Sequence, residues 1–317
     1  MVTLDDIHAA RDRIAGMVRE TPVKPSPGLS RLAGGPVWLK CEHRQETGAF
    51  KLRGAANAVA RLGDVAGVTT ASTGNHGRAL AHAARAQGLA AVICVSNLVP
   101  QNKLDAITAL GAEARVIGAS QDEAFNEARR LQREEGFALI PPFDHADVIA
   151  GQGTLGLEIM RQIPDAAAIA VPLSGGGLLA GVARAAKSLN PAIHIIGISM
   201  ERGAAMAASL DAGHPVEVAE LETLADSLGG GIGMQNRLTY PMVRDLMDEL
   251  ILLTEDEIAA GIRHLALEDD ETVEGAAAVG AGAILAGKLR ADGPLVLILS
   301  GANIDPARHA AILRREI

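Results

Sequence analysis

A short apolar segment, a polar loop that contains glycine and an alanine-rich helical segment follow one another repeatedly along this chain. Segments predicted as strands lie at 67–71, 91–95, 169–173 and 295–299, and helical segments separate them. Parallel strands need a crossover connection, which is usually a helix, so this alternation predicts parallel pairing. The sequence therefore predicts an α/β fold in which helices cover the faces of a mostly parallel sheet.

Composition limits both the core and the partners. Of the 317 residues 48% are hydrophobic and only 2% aromatic, so aliphatic side chains must fill the core of one large domain or two ordinary ones. The formal net charge is -9 and no dense basic block occurs, so nucleic acid is not an expected partner. Because the sequence shows neither a signal peptide nor an apolar run of transmembrane length, we expect a cytoplasmic protein without membrane contact.

The two cysteines, Cys41 and Cys94, lie far apart in the sequence and neither belongs to a Cys-x-x-Cys pair. This spacing excludes a disulfide framework and a thiolate zinc site. We interpret both as small apolar side chains of the core.

Lys51 lies at a predicted helix start and directly follows Gly48-Ala49-Phe50. A predicted strand at 37–41 precedes this segment. A lysine between a strand and a helix is a candidate catalytic amine. A solvated lysine in the first turn of a helix is the more ordinary interpretation, and this segment alone does not decide between them.

A polar loop, Ser72-Thr73-Gly74-Asn75-His76-Gly77, joins a predicted strand to a predicted helix. Anions and substrates bind at such positions in α/β folds. Since Ser, Thr and Asn are also the best helix caps, a capping loop is an equally good interpretation.

Residues 151–156 match the Gly-x-Gly-x-x-Gly dinucleotide pattern, but they follow a proline and aspartate loop instead of a strand, and no acidic residue occupies the required later position. We interpret them as a helix start packed closely on the sheet.

A better phosphate site is Ser174-Gly175-Gly176-Gly177-Leu178, where consecutive glycine N-H groups and a helix N-terminus converge after a strand. A tight turn is the alternative. The glycines at 229–233 predict a close backbone approach, and Ser300-Gly301-Ala302-Asn303 is a further polar loop at a strand end.

Together these loops supply an amine, a phosphate nest and a hydroxyl, which a phosphorylated aldehyde cofactor held as a Schiff base requires. In motif and order the sequence resembles the pyridoxal-phosphate enzymes of fold type II, the threonine dehydratase and serine racemase family, over essentially its whole length. The resemblance implies a tryptophan synthase β-like fold with two open, twisted, mostly parallel sheets flanked by helices. With the break at 140–142, it predicts a large cofactor-binding domain at 1–65 and 147–317 and a small mobile domain at 66–146 that covers the active site.

The resemblance also implies roles for individual residues. Lys51 would form the Schiff base with pyridoxal 5'-phosphate and act as the base, with the Phe50 ring beside it. Asn75 would bind the 3-oxygen, and Ser300 would face the pyridine nitrogen. The phosphate would lie on Ser174, Gly175, Gly176, Gly177 and Leu178, and the substrate carboxylate on Ser72, Thr73, Gly74, Asn75 and His76. Glu274 is held only as a possible neighbour of these groups.

Departures from the family pattern carry further expectations. Ala49 and Ser174 replace a serine and a glycine, and Thr73 replaces the serine that acts as the opposite-face base in serine racemase, which makes racemisation doubtful. Ser199 and Ala205 occupy the positions of the racemase metal carboxylates, so we expect no metal there. Because Ser300 does not favour a protonated pyridine as an aspartate would, elimination is favoured over transamination.

The leading hypothesis is a dehydratase, an ammonia-lyase, that converts a 3-hydroxy amino acid to a 2-oxo acid and ammonia. Stretches such as 139–145 and 224–233 resemble the hydroxyectoine utilization dehydratase branch, which implies a 3-hydroxyaspartate or a hydroxylated diaminobutyrate as substrate. A threonine or serine ammonia-lyase, or a serine or aspartate racemase, is the alternative, and a non-catalytic cofactor-binding protein is a remote one. We expect a homodimer, and no feedback-regulatory extension after the catalytic part.

Overall fold

The computed structural model describes residues 1–72, 74–99 and 101–317. Its strands are β1 (Val23–Pro25), β2 (Val37–Lys40), β3 (Gly67–Thr70), β4 (Ala91–Val95), β5 (Glu113–Val116), β6 (Phe137–Leu139), β7 (Ala168–Pro172), β8 (His194–Met200), β9 (Glu249–Leu253) and β10 (Leu295–Ile298). Its α-helices are α1 (Leu4–Arg13), α2 (Pro27–Ala33), α3 (Lys51–Ala60), α4 (Asn75–Ala86), α5 (Gln101–Thr108), α6 (Gln121–Glu135), α7 (Ala146–Gln162), α8 (Gly177–Leu189), α9 (Ala205–Ala212), α10 (Thr239–Leu246), α11 (Glu255–Leu267), α12 (Gly275–Leu285) and α13 (Pro306–Leu313).

The strands form two sheets. The larger has the order β1-β2-β10-β7-β8-β9, in which β1 is antiparallel to β2 and the other neighbours are parallel. The smaller has the order β5-β4-β3-β6 and is parallel throughout its described pairs. The predicted fold class, α/β with two mostly parallel sheets flanked by helices, is confirmed.

Strand order brings the sequence motifs to one edge of the larger sheet. β10 pairs with β2 on one side and with β7 on the other. Because parallel strands end at the same edge, the loops that follow these three strands lie next to each other there. Those loops carry Lys51, Ser300 and Ser174.

The smaller sheet is built from strands that lie between residues 67 and 139. This range falls inside the segment 66–146 that the sequence predicts as a small domain. Its independence and its mobility stay predictions.

The glycines of 151–156 lie inside α7, which begins at Ala146. A Cβ on Gly151 would lie 2.5 Å from the carbonyl oxygen of Arg53 in α3, and one on Gly156 would lie 2.8 Å from the carbonyl oxygen of Val182 in α8. The prediction of a helix start packed on the sheet is therefore wrong, because these glycines allow α7 to approach two other helices.

A buried ion-pair network lies directly behind the start of α3. Arg53 is fully buried and donates to both carboxylate oxygens of Glu42 at 2.8 Å, and also to Glu158 at 2.7 and 2.8 Å. Lys40, also fully buried, donates to Glu158 at 2.7 Å. Burial would raise the pKa of Glu42, but the Arg53 charge and its hydrogen bonds hold that pKa below its usual value. The network thus fixes α3 to the end of β2 and to α7.

None of the described helices is both long and apolar enough to cross a membrane.

Replacing Arg53 with Met should lower the free energy of unfolding by about 3–5 kcal/mol, because it leaves the buried Glu42 carboxylate without its cation. Arg61→Met is the matched control, since Arg61 lies at the end of the same helix and pairs with Asp147 from a half-exposed side chain. We expect that control to cost less than about 1 kcal/mol. Urea unfolding followed by circular dichroism measures both variants, and equal midpoints for the two would contradict the stabilising role of the network.

Candidate active site

Lys51 is the first residue of α3, and backbone contacts fix the chain before it against the loop after β10. The N-H of Phe50 donates to the carbonyl oxygen of Ser300 at 3.0 Å, and Ala49 pairs with Gly301 in an isolated antiparallel bridge. The position of Lys51 relative to Ser300 is therefore set by main-chain hydrogen bonds.

The amine of Lys51 is partly buried and lies over an aromatic ring. Its Nζ donates to the carbonyl oxygen of Pro142 at 2.8 Å and lies 5.3 Å from the centroid of the Phe50 ring. Burial lowers the pKa of Lys51 to about 8, while the negative charge of Glu274 acts in the opposite direction. Compared with an ordinary lysine, a larger share of this amine is neutral, and so nucleophilic, near neutral pH.

The glycine segment after β7 forms an open helix N-terminus. Gly176 is the N-cap of α8 with φ 85°, and no side chain caps this end in the part of the chain that the structure describes. The first N-H groups of α8 are therefore open to an anion. Ser174 is partly buried and Leu178 is buried beside them.

Phe143 packs so closely on this glycine segment that it leaves no room for side chains at Gly175 and Gly177. A Cβ on Gly175 would lie 2.3 Å from the Phe143 ring, and one on Gly177 would lie 3.0 Å from the Phe143 Cα. Side chains at Gly175 and Gly177 would therefore displace the segment whose Pro142 carbonyl binds Lys51. The sequence analysis did not find Phe143, although the Pro141-Pro142 break beside it marks a constrained turn.

The loop after β3 leads into α4, which begins at Asn75. Ser72 is partly buried and Gly74 is exposed. A Cβ on Gly77 would lie 2.0 Å from the carbonyl oxygen of Ser72, so Gly77 lets the loop fold tightly onto the helix. Thr73, predicted as a catalytic and substrate-binding residue, lies outside the described residues.

His76 is buried and does not offer a positive charge. Burial and the nearby Lys51 charge lower its pKa to about 3, and its Nε2 lies 2.9 Å from the carbonyl oxygen of Ile140. Because a carbonyl oxygen only accepts, Nε2 carries the proton; the buried Nδ1 has no hydrogen-bond partner among the described residues. Any contact from this position to a substrate carboxylate must therefore come from the backbone N-H.

Glu274 is a buried carboxyl group that touches the loops after β3 and β10. It accepts hydrogen bonds from Asn75 Nδ2 at 2.8 Å and from the Asn303 N-H at 3.1 Å. Burial, and then the charge of Asp226, raise the pKa of Glu274 to about 7. The sequence analysis gave this residue too little weight, because a single glutamate at a helix start resembles the acidic residues that commonly stabilise helix N-termini.

Two glycines of the 229–233 segment have positive φ, 89° at Gly230 and 80° at Gly233, which explains their identity. A Cβ on either would meet nothing within 4 Å in the described chain. The expected close approach is therefore not made by the protein's own described residues at these two positions.

At the family's metal position, Ser199 is buried with its Oγ 3.4 Å from the sulfur of Met200, and Ala205 begins α9. The absence of a metal there stays a prediction. Elsewhere, potential ligand atoms of Cys41, His43 and Glu271 lie within 4.8 Å of one another. Glu271, however, already accepts from His43 at 2.8 Å and from the cations of Lys24 and Arg44 at 3.0 and 2.6 Å.

The arrangement fits pyridoxal phosphate. A partly buried amine of lowered pKa follows β2, an uncapped glycine N-terminus follows β7, and the buried Ser300 follows β10 between them. An aldehyde needs the amine, a phosphate dianion needs the N-H groups, and a ring between them would face Ser300.

Comparisons with known proteins agree with this fit. Residues 14–301 match the family model described as pyridoxal-phosphate dependent enzyme. A protein of Sinorhizobium fredii, provisionally named a threonine dehydratase, is 54% identical over 98% of this chain and 95% of its own length. The L-threonine ammonia-lyase of Thermotoga maritima is 40% identical over 96% of this chain and 76% of its own.

The structure of maize serine racemase superposes with a TM-score of 0.92 at 34% identity, covering 99% of this chain and 98% of that one. The chain therefore belongs to the pyridoxal-phosphate dependent enzymes, in the group of threonine dehydratases and serine racemases, and its cofactor is pyridoxal 5'-phosphate.

Proposed function

We propose that this protein is an ammonia-lyase that removes water from a 3-hydroxy amino acid. Water then hydrolyses the resulting enamine to a 2-oxo acid and ammonia. The observation that carries the proposal is the partly buried Lys51 amine, whose pKa is lowered to about 8, beside the loop of Ser300. A base of this pKa is suited to take a proton from carbon near neutral pH. The relatives named as threonine dehydratase and ammonia-lyase support the same reaction class.

The cofactor phosphate would be held by the open N-H groups of Gly175, Gly176 and Gly177, with Ser174 and Leu178 beside them. Asn75 would donate to the 3-oxygen, and the Ser300 hydroxyl would face the ring nitrogen without favouring its protonation. Bound in this way, pyridoxal phosphate withdraws electrons from the α-carbon of an amino acid, which makes its proton acidic and favours loss of a β-hydroxyl.

Lys51 has the role of the proton carrier in this proposal. Its neutral Nζ would take the α-proton, and the resulting ammonium would return a proton to the departing hydroxyl. Its hydrogen bond to the Pro142 carbonyl holds the free amine over the Phe50 ring before the cofactor binds. The substrate carboxylate would lie on the loop of Ser72, Thr73, Gly74, Asn75 and His76, where the N-terminus of α4 favours an anion.

Within the 3-hydroxy amino acids, the names of these relatives favour threonine. The hydroxyectoine-derived substrates, 3-hydroxyaspartate or a hydroxylated diaminobutyrate, have no support from these relatives and stay a prediction from sequence resemblance. Serine or aspartate racemisation is the second candidate function, since the fold matches maize serine racemase. A homodimer in the cytoplasm, and the movement of the 66–146 segment over the site, are further parts of the proposal.

A substrate panel tests the reaction. Purified protein loaded with pyridoxal phosphate should form a 2-oxo acid and ammonia from at least one of threonine, serine, the 3-hydroxyaspartates and a hydroxylated diaminobutyrate. Coupled reduction of the 2-oxo acid measures turnover, and chiral chromatography of recovered substrate detects racemisation. Inverted substrate without a 2-oxo acid would replace the lyase with a racemase, and neither product from any of them would refute both.

Lys51→Ala should abolish both turnover and covalent retention of the cofactor, because no other group replaces the amine at this position. Lys103→Ala is the matched control, since Lys103 is an exposed lysine of α5. Borohydride reduction followed by mass spectrometry measures the lysine-bound cofactor. Retained turnover in the Lys51 variant would end the assignment of this residue as the catalytic amine.

The lowered pKa of Lys51 predicts how fast the apoprotein captures pyridoxal phosphate at different pH. Because only the neutral amine reacts, the capture rate should rise with pH to a midpoint near 8 rather than 10.5, the ordinary lysine value. Glu274→Gln should move the midpoint to lower pH, since the Glu274 charge stabilises the ammonium form of Lys51.

Stopped-flow absorbance at a series of pH values on both sides of 8 measures the midpoint. Glu268→Gln, at an exposed glutamate after α11, is the control and should leave it unchanged. A wild-type midpoint at the ordinary lysine value would show that burial does not activate Lys51.

A further inference from the structure

Arg78 stands at one end of a hydrogen-bond chain that reaches Glu274 through two side-chain amides. Its NH1 donates to Asn303 Oδ1 at 2.9 Å, and Asn303 Nδ2 donates to Asn75 Oδ1 at 2.5 Å. Asn75 Nδ2 then donates to Glu274 Oε1 at 2.8 Å. We call these four residues the amide chain.

Arg78 and a neighbouring backbone carbonyl determine which way the amides of the chain point. A guanidinium group only donates, so Asn303 must present its oxygen to Arg78. The carbonyl oxygen of Thr47 only accepts, and it receives Asn303 Nδ2 at 3.0 Å, which imposes the same orientation. Asn75 must then accept through its oxygen and offer its nitrogen on the other side.

Arg78 therefore acts on its neighbours through orientation rather than through an ion pair. The side chain is partly buried, and it has no carboxylate partner among the residues that the structure describes. Its buried Nε is likewise unpartnered there. Burying a cation without an opposite charge is unfavourable, so the hydrogen bond to Asn303 has to offset part of that cost.

Asn303 also lies close to the chain before Lys51. A Cβ on Gly48, which has φ 75°, would lie 2.8 Å from Asn303 Oδ1. The amide that Arg78 orients thus contacts the loop before α3 as well as the loop before α4. A change in the orientation of the Asn303 amide would therefore alter its contacts with both Gly48 and Asn75.

We propose that Arg78 is a positioning residue that, together with the Thr47 carbonyl, fixes both amides of the amide chain, so that Asn75 presents an N-H, and not an oxygen, to the cofactor. Asn75 Nδ2 has two hydrogens, of which Glu274 takes one; the second remains for the 3-oxygen of pyridoxal phosphate. This inference rests on the cofactor contact of Asn75 in the proposed function. A reversed amide would place an oxygen lone pair against an oxygen that carries negative charge.

Arg78→Met, which keeps an unbranched side chain and removes its hydrogen-bond donors, tests the proposal. Titration of apoprotein with pyridoxal phosphate, followed by absorbance, should give a Kd about tenfold higher than that of the wild type, the factor that 1.4 kcal/mol produces. The pH at which the absorbance of the bound cofactor changes should rise by about one unit, because the ionised 3-oxygen loses a donor. The variant removes the Arg78 charge but leaves in place the described charged groups Lys51, Glu274 and Asp226 of this site.

Two further variants separate orientation from folding. Arg78→Lys keeps a donor-only cation and should restore most of the affinity. Asn303→Asp keeps a partner for Arg78 but has no N-H for Asn75. It should therefore raise both the Kd and the pH midpoint as Arg78→Met does, and it keeps the test available if Arg78→Met folds poorly. Arg85→Met is the control on the same helix, at an exposed position, and should match the wild type.

A wild-type Kd and a wild-type pH midpoint in either Arg78→Met or Asn303→Asp would overturn the proposal. If the wild-type protein itself fails to bind the cofactor through Lys51, the proposed function fails and this inference fails with it. Normal cofactor capture by the wild type together with unchanged variants refutes the inference alone.

Discussion

The buried pairing of Arg53 with Glu42 and Glu158 is the interaction on which the site depends. It joins the segment after β2, the first turn of α3 and the C-terminal part of α7, and Lys51 lies two residues before Arg53 on the same helix. Desolvated charges are tolerated only when every partner is in place. The position of the amine is therefore tied to a network that cannot shift without exposing or unpairing a charge.

A second constraint is the order of the strands. β10 lies between β2 and β7. The Lys51 amine, the Ser300 hydroxyl and the glycine segment 175–177 therefore meet at one edge of the sheet although they are distant in sequence. The Phe50 to Ser300 hydrogen bond and the Ala49 to Gly301 bridge close the contact between two of these loops. Each loop contributes one chemical function, and the sheet supplies their relative placement.

Local sequence patterns predicted the elements well where the pattern and the packing agree. The alternation of apolar strands and alanine-rich helices predicted the α/β class, and the resemblance in motif order predicted the two sheets. The Gly-x-Gly-x-x-Gly pattern at 151–156 was correctly not interpreted as a dinucleotide site, but the prediction that it begins a helix was wrong, because it lies inside α7. Its glycines serve contacts between α7, α3 and α8, which no local pattern records because the partners lie elsewhere in the chain.

The sequence by itself determined which chemistry is available: one lysine after an aromatic residue, a run of three glycines after a strand, and a serine where the family resemblance places the ring nitrogen. Local residue types and turns decide these features. Only the tertiary structure decided that Phe143 packs on the glycines, that His76 is buried and neutral, and that Asn75, Asn303, Arg78 and Glu274 form one chain. These properties depend on burial and on partners distant in sequence, since protonation and amide orientation are set by the surrounding groups and not by the residue itself.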